Sequence, residues 1–244
     1  MIQSDIRDID GNGEWGPVLS WPIIPLHSVV LPDGKVLSFG STEQGMQGGQ
    51  FVYDLWDPET GVHRTLPNTT GTNIFCSNMA IDPKTGNVII MGGDHNGEEG
   101  YGALTGRQDV LVFDYEKQEI RDAEDGDANF DLAYGRYYGT TVTLSNGEIL
   151  MVGGRDERYE TPTIAEVYNH ETGIRQLTGA EMPHLKANPD GSTMTSTDGN
   201  YWYPHAFATS KGVVFIIEAD GETMYRMTTE GTGSVQEIGE LALE

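Results

Sequence analysis

The chain has 244 residues, with 14 Lys or Arg against 38 Asp or Glu and a formal net charge of −24. That balance excludes a nucleic-acid partner, which takes clustered cations to neutralise phosphates, and it disfavours an anionic membrane surface. No run of about 18 apolar residues is long enough to span a bilayer, the first residues carry no basic and apolar signal-peptide pattern, and the single cysteine, Cys76, rules out an internal disulfide.

Residues 1–20 read as an extended N-terminal segment. Asp8, Asp10 and Asn12 followed by Gly13 imitate the first half of a calcium loop. Leu19 stands where such a loop takes its bidentate Glu, so calcium is not expected and the segment reads as a solvated acidic stretch. From residue 21 onward one design repeats: an apolar run, a turn containing Gly, then a second apolar run. The four turn glycines are Gly34, Gly86, Gly147 and Gly212, spaced 52, 61 and 65 residues apart. Turn pairs such as Asp33-Gly34 and Asn146-Gly147, set between Val-, Ile- and Thr-rich segments, are hairpin signals. A second hairpin follows in each repeat, around Trp56, Phe113, Tyr168 and, more weakly, Tyr225.

Two hairpins per repeat make one four-stranded antiparallel sheet, and a repeat of this length with four strands is a propeller blade. The fold class is therefore all-β: a β-propeller of kelch-like four-stranded blades at about 21–70, 71–130, 131–185 and 186–244. The pairs Gly92-Gly93 and Gly153-Gly154, each followed by an aromatic in the next hairpin, are the kelch-like feature. Glycine suits a strand end where the chain turns sharply among crowded sheets. Four blades are few for such a ring, which usually has six or seven. The chain reads as part of a larger propeller, closed by further blades or by a second chain, because open sheet edges invite association.

Trp15, Trp21 and His27, followed by Leu31 to Gly34, resemble the opening of the galactose oxidase and glyoxal oxidase family of copper radical oxidases. Phe75-Cys76-Ser77, ahead of Gly92-Gly93-Asp94, is similar to the family segment that carries a cross-linked cysteine. Arg136-Tyr137-Tyr138, ahead of Gly147 and Gly153-Gly154, is similar to the segment carrying its radical tyrosine, with Tyr138 in register. The resemblance implies catalytic roles for Cys76 and Tyr138, joined by a thioether beside copper, with Tyr138 a metal ligand. It implies oxidation of a small alcohol, aldehyde or carbohydrate by O2, giving H2O2, and an extracellular or periplasmic location.

Arg136 is a candidate for binding an anionic substrate. His27 and His205 each lie seven residues before their turn glycine and are candidate metal ligands on one face. The family also uses a Tyr-His pair and a further histidine, for which Tyr203-Pro204-His205 is the nearest counterpart after Tyr138. No aromatic is expected to stack over Tyr138, since Arg155 to Arg158 follow the second glycine pair. Asn68-Thr69-Thr70 is a glycosylation sequon. The rival reading is a non-catalytic kelch-like propeller that binds a protein or glycan, or an inactive fragment.

Overall fold

A computed structural model describes residues 16–47, 51–96, 98, 100, 104–123, 130–182, 203–209, 213–217 and 223–240. The calcium-like stretch at 8–13 lies outside them. The described residues form sixteen strands and no helix. The first sheet runs β1(Ile23–Val30), β2(Val36–Thr42), β3(Val52–Asp57), β4(Val62–Pro67), and the second β5(Asn78–Ile81), β6(Val88–Met91), β7(Val110–Asp114), β8(Glu119–Asp122). The third runs β9(Tyr137–Thr143), β10(Ile149–Arg155), β11(Ile164–Asn169), β12(Gly173–Glu181), and the fourth β13(His205–Ala208), β14(Val213–Ile217), β15(Thr223–Thr228), β16(Ser234–Glu240). Each is a four-stranded antiparallel meander in chain order, so the described residues are all-β, in sheets of the size expected for propeller blades.

The turn chemistry explains the hairpins. Gly34, Gly86 and Gly147 take φ of 84°, 76° and 87°, a left-handed conformation that costs glycine nothing. The register then follows from the apolar pattern. Ile89 and Met91 of β6 face Ile149 and Met151 of the third sheet, while Val88 and Ile90 face Leu37, Phe39 and Leu55 of the first. Leu150 and Val152 of β10 turn the other way, toward Tyr225 and Met227 of the fourth. Strands buried on both faces read as continuous apolar runs, which is why Val88–Met91 and Ile149–Val152 lack polar alternation.

The sheets thus stack in chain order, each sandwiching its apolar layer against the next. Their first strands come together: β5 packs beside β9, and β9 beside β13. The hydroxyls of Thr141 and Thr143 donate to the carbonyls of Met79 and Ile81 at 2.7 and 3.3 Å, tying β9 to β5. The start of each first strand is therefore where residues about 60 apart in sequence meet.

Asn68, the sequon residue, is buried. Its Nδ2 donates to the Thr72 carbonyl at 2.9 Å and its Oδ1 accepts from the Thr70 hydroxyl at 2.8 Å. An amide enclosed in this way leaves no room for a glycan, so the sequon reads here as a turn.

Candidate active site

The segment Asn73–Cys76 enters β5 through a turn in which the Asn73 side chain accepts from the Phe75 amide at 3.1 Å. Cys76 then takes a left-handed φ of 54°. Left-handed backbone is costly for a residue with a Cβ and, when held by its surroundings, marks a site where a side chain is being aimed. Tyr138 at the start of β9 has φ 61°, and Tyr203 just ahead of β13 has φ 46°. These three residues stand at corresponding places in successive sheets and are linked through the backbone. The Tyr138 amide donates to the Cys76 carbonyl at 3.1 Å, and the Tyr203 amide donates to the Tyr138 carbonyl at 2.7 Å.

Their side chains gather as well. Cys76 is 3% exposed, and its thiol lies beside the phenols of both Tyr138 and Tyr137, which favour its charged form. The Tyr138 ring lies 4.3 Å from that of Tyr137 and 5.0 Å from that of Tyr203, both tilted. Burial pushes the Cys76 thiol up to about 11, although the two phenols pull it back. It is a protonated thiol at neutral pH. Burial also raises the Tyr137 phenol well above its ordinary value, the neighbouring thiol adding to the effect.

The double glycine supplies the floor of this cluster. A Cβ on Gly92 would stand 2.1 Å from the Arg136 carbonyl oxygen, and one on Gly93 2.2 Å from that of Asn73. Only bare backbone lets these segments meet. The Gly93 amide donates to the Arg136 carbonyl at 3.2 Å and the Asp94 amide to the Asn73 carbonyl at 3.0 Å. One strand end thereby grips the segment before Cys76 and the segment before Tyr138 together.

Arg136, a candidate for substrate binding, is placed elsewhere. It is fully buried and ion-paired with the equally buried Glu166 at 2.8 Å. Its remaining donors go to the carbonyls of Gly153 and Ile164, each at 2.7 Å. The guanidinium has no face toward solvent and ties together strands of the third sheet.

His27 and His205 hold equivalent register positions, opposite Phe39 and Ile217, but differ in surroundings. His27 stacks on Phe39 with ring centroids 5.0 Å apart, and burial lowers it to about 4. His205 is exposed. Among the described residues no three His, Cys, Asp or Glu side chains gather as a metal-binding group. The donors present suit a thiol–phenol pair and do not by themselves make a copper site.

Two contacts of the cluster are not legible in the sequence, although Tyr203 is singled out there beside His205 and Tyr137 beside Tyr138. No aromatic was expected over Tyr138, yet Tyr203 packs there. Its signal is its distance of nine residues before Gly212, the same as from Tyr138 to Gly147. Tyr137 lies beside the register tyrosine, where strand alternation would send it to the opposite face.

No family model matches the chain. Galactose oxidase of Gibberella zeae is 27% identical over 243 residues, covering 94% of this chain and 31% of that enzyme. The fold is similar to that of a solved fungal alcohol oxidase of the AA5 family in complex with copper, with a TM-score of 0.70 and 22% identity, covering 93% of this chain and 44% of that one. The chain spans about a third of the length of the curated relative it matches. Along nearly its whole length the chain is thus similar in sequence to that galactose oxidase and in fold to that alcohol oxidase.

Proposed function

We propose that this chain carries the thiol–phenol half of a copper radical oxidase centre, with Cys76 and Tyr138 the residues that couple. The observation that carries the reading is the buried Cys76 beside Tyr138, two residues 62 positions apart held by one backbone hydrogen bond. Coupling removes the thiol hydrogen and one ring hydrogen, forms a carbon–sulfur bond, and passes two electrons and two protons to O2, giving H2O2. A polarisable, oxidisable sulfur beside a phenol suits that chemistry.

Tyr138 would hold copper through its phenol oxygen, and the remaining donors would come from outside the described residues. Copper, when bound, would accept one of the two electrons taken from an alcohol or aldehyde. The substrate class is a small alcohol, aldehyde or sugar, and a secreted setting fits the same reading. Ile24, Leu26 and Val30 of β1 are exposed apolar residues of the kind that a further blade or a second chain would cover.

The rival reading, a non-catalytic kelch-like propeller that binds a protein or glycan, draws on the lack of a three-donor metal group among the described residues. Peroxide release from alcohols, aldehydes and sugars by copper-loaded protein decides between them. The oxidase reading expects turnover that Cys76→Ser abolishes or cuts by orders of magnitude. Binding of a glycan or protein with no peroxide from any of these substrates would favour the rival.

A further inference from the structure

Tyr137 and Tyr138 are consecutive in β9, so regular pleating would send their rings to opposite faces of the sheet. The left-handed φ of 61° at Tyr138 breaks that alternation, and the two rings lie 4.3 Å apart, with both phenols on the Cys76 thiol. Tyr137 is 1% exposed, paired opposite Arg155 across the ladder and covered by that guanidinium at 5.9 Å from its ring. Arg155 is itself tied to the Leu104 carbonyl through Nε at 2.8 Å. Tyr137 is thus pinned on one side by a charged plate and on the other by the thiol and the neighbouring phenol.

We infer that Tyr137 is a positioning residue for the coupling: its phenol holds the Cys76 sulfur against the Tyr138 ring. This rests on the coupling proposed above. The reaction needs the sulfur within contact of one ring carbon beside the Tyr138 hydroxyl, and a freely rotating thiol spends little time there. A second phenol packed against the Tyr138 ring and beside the thiol narrows that freedom.

The test compares wild-type protein with Tyr137→Phe, which keeps the ring and its packing and loses only the hydroxyl. Each is loaded aerobically with copper and followed by intact mass, thiol titration and peptide mapping of the thioether. Loss of one ordinary hydrogen bond corresponds to about tenfold, so coupling to Tyr138 should slow by about tenfold or more while the thermal midpoint stays close to wild type. A merely structural role would move the midpoint and leave the ratio of coupled to free thiol per folded molecule unchanged. Coupling of Tyr137→Phe at the wild-type rate, or a thioether that maps to Tyr137 in the wild type, overturns the inference while leaving the proposed oxidase chemistry standing. A wild-type protein that never couples overturns both.

Discussion

Arg136 lies two residues before Tyr138, and its pair with Glu166 is buried within the third sheet. Both side chains are wholly buried, and Glu166 also accepts from the Ala133 amide at 2.6 Å. A buried ion pair adds little over an apolar pair, but breaking one leaves an uncompensated charge. Glu166→Ala should therefore cost about 3–5 kcal/mol in chemical denaturation, whereas a surface pairing would cost under about 1 kcal/mol. His27 gives the pH dependence at this scale. Its folded value of about 4 lies below the ordinary 6.5, so the unfolded chain binds the proton more readily, and stability present above about 6.5 drains away as pH falls toward 4. Melting curves of wild type and His27→Gln, taken across that window, should converge or cross as the wild type loses stability faster. Parallel curves would contradict the burial of the imidazole.

The strands were readable because their signals are local. Asp33-Gly34 and Asn146-Gly147 dictate tight turns, and the two-sided apolar runs at Val88–Met91 and Ile149–Val152 announce strands sandwiched between sheets. What stayed hidden depends on long-range placement. The φ of 61° at Tyr138, beside which the Tyr137 ring packs, accompanies a hydrogen bond to the Cys76 carbonyl, 62 residues earlier. Arg136 likewise looked available to a ligand because its partner lies 30 residues downstream on β11. The glycines can be ranked by the same logic. Gly92→Ala meets the Arg136 carbonyl oxygen at 2.1 Å with φ 76°, while Gly34→Ala, at φ 84°, meets nothing within 4 Å. Left-handed backbone alone costs about 1–2 kcal/mol, which Gly34→Ala should show in urea titration. Gly92→Ala should exceed that by several-fold or fail to fold, and should separate the Cys76 and Tyr138 segments. Equal costs at the two positions would mean that the close approach at the double glycine is not what holds them.

At the scale of the molecule, stacked meanders turn sequence distance into proximity. Because the first strands β5, β9 and β13 lie side by side, three left-handed residues at their starts, Cys76, Tyr138 and Tyr203, converge from three sheets. The net charge of −24 lies apart from this chemistry: it bears on what approaches the surface, while the cluster itself is a buried thiol among aromatic rings. The central claim is that Cys76 and Tyr138 couple. Intact mass with thiol titration, before and after aerobic copper loading, tests it most directly. Coupling predicts a protein lighter by two hydrogens, with no titratable thiol after unfolding and a single thioether mapped between Cys76 and Tyr138; an unchanged mass with one full equivalent of free thiol would contradict it.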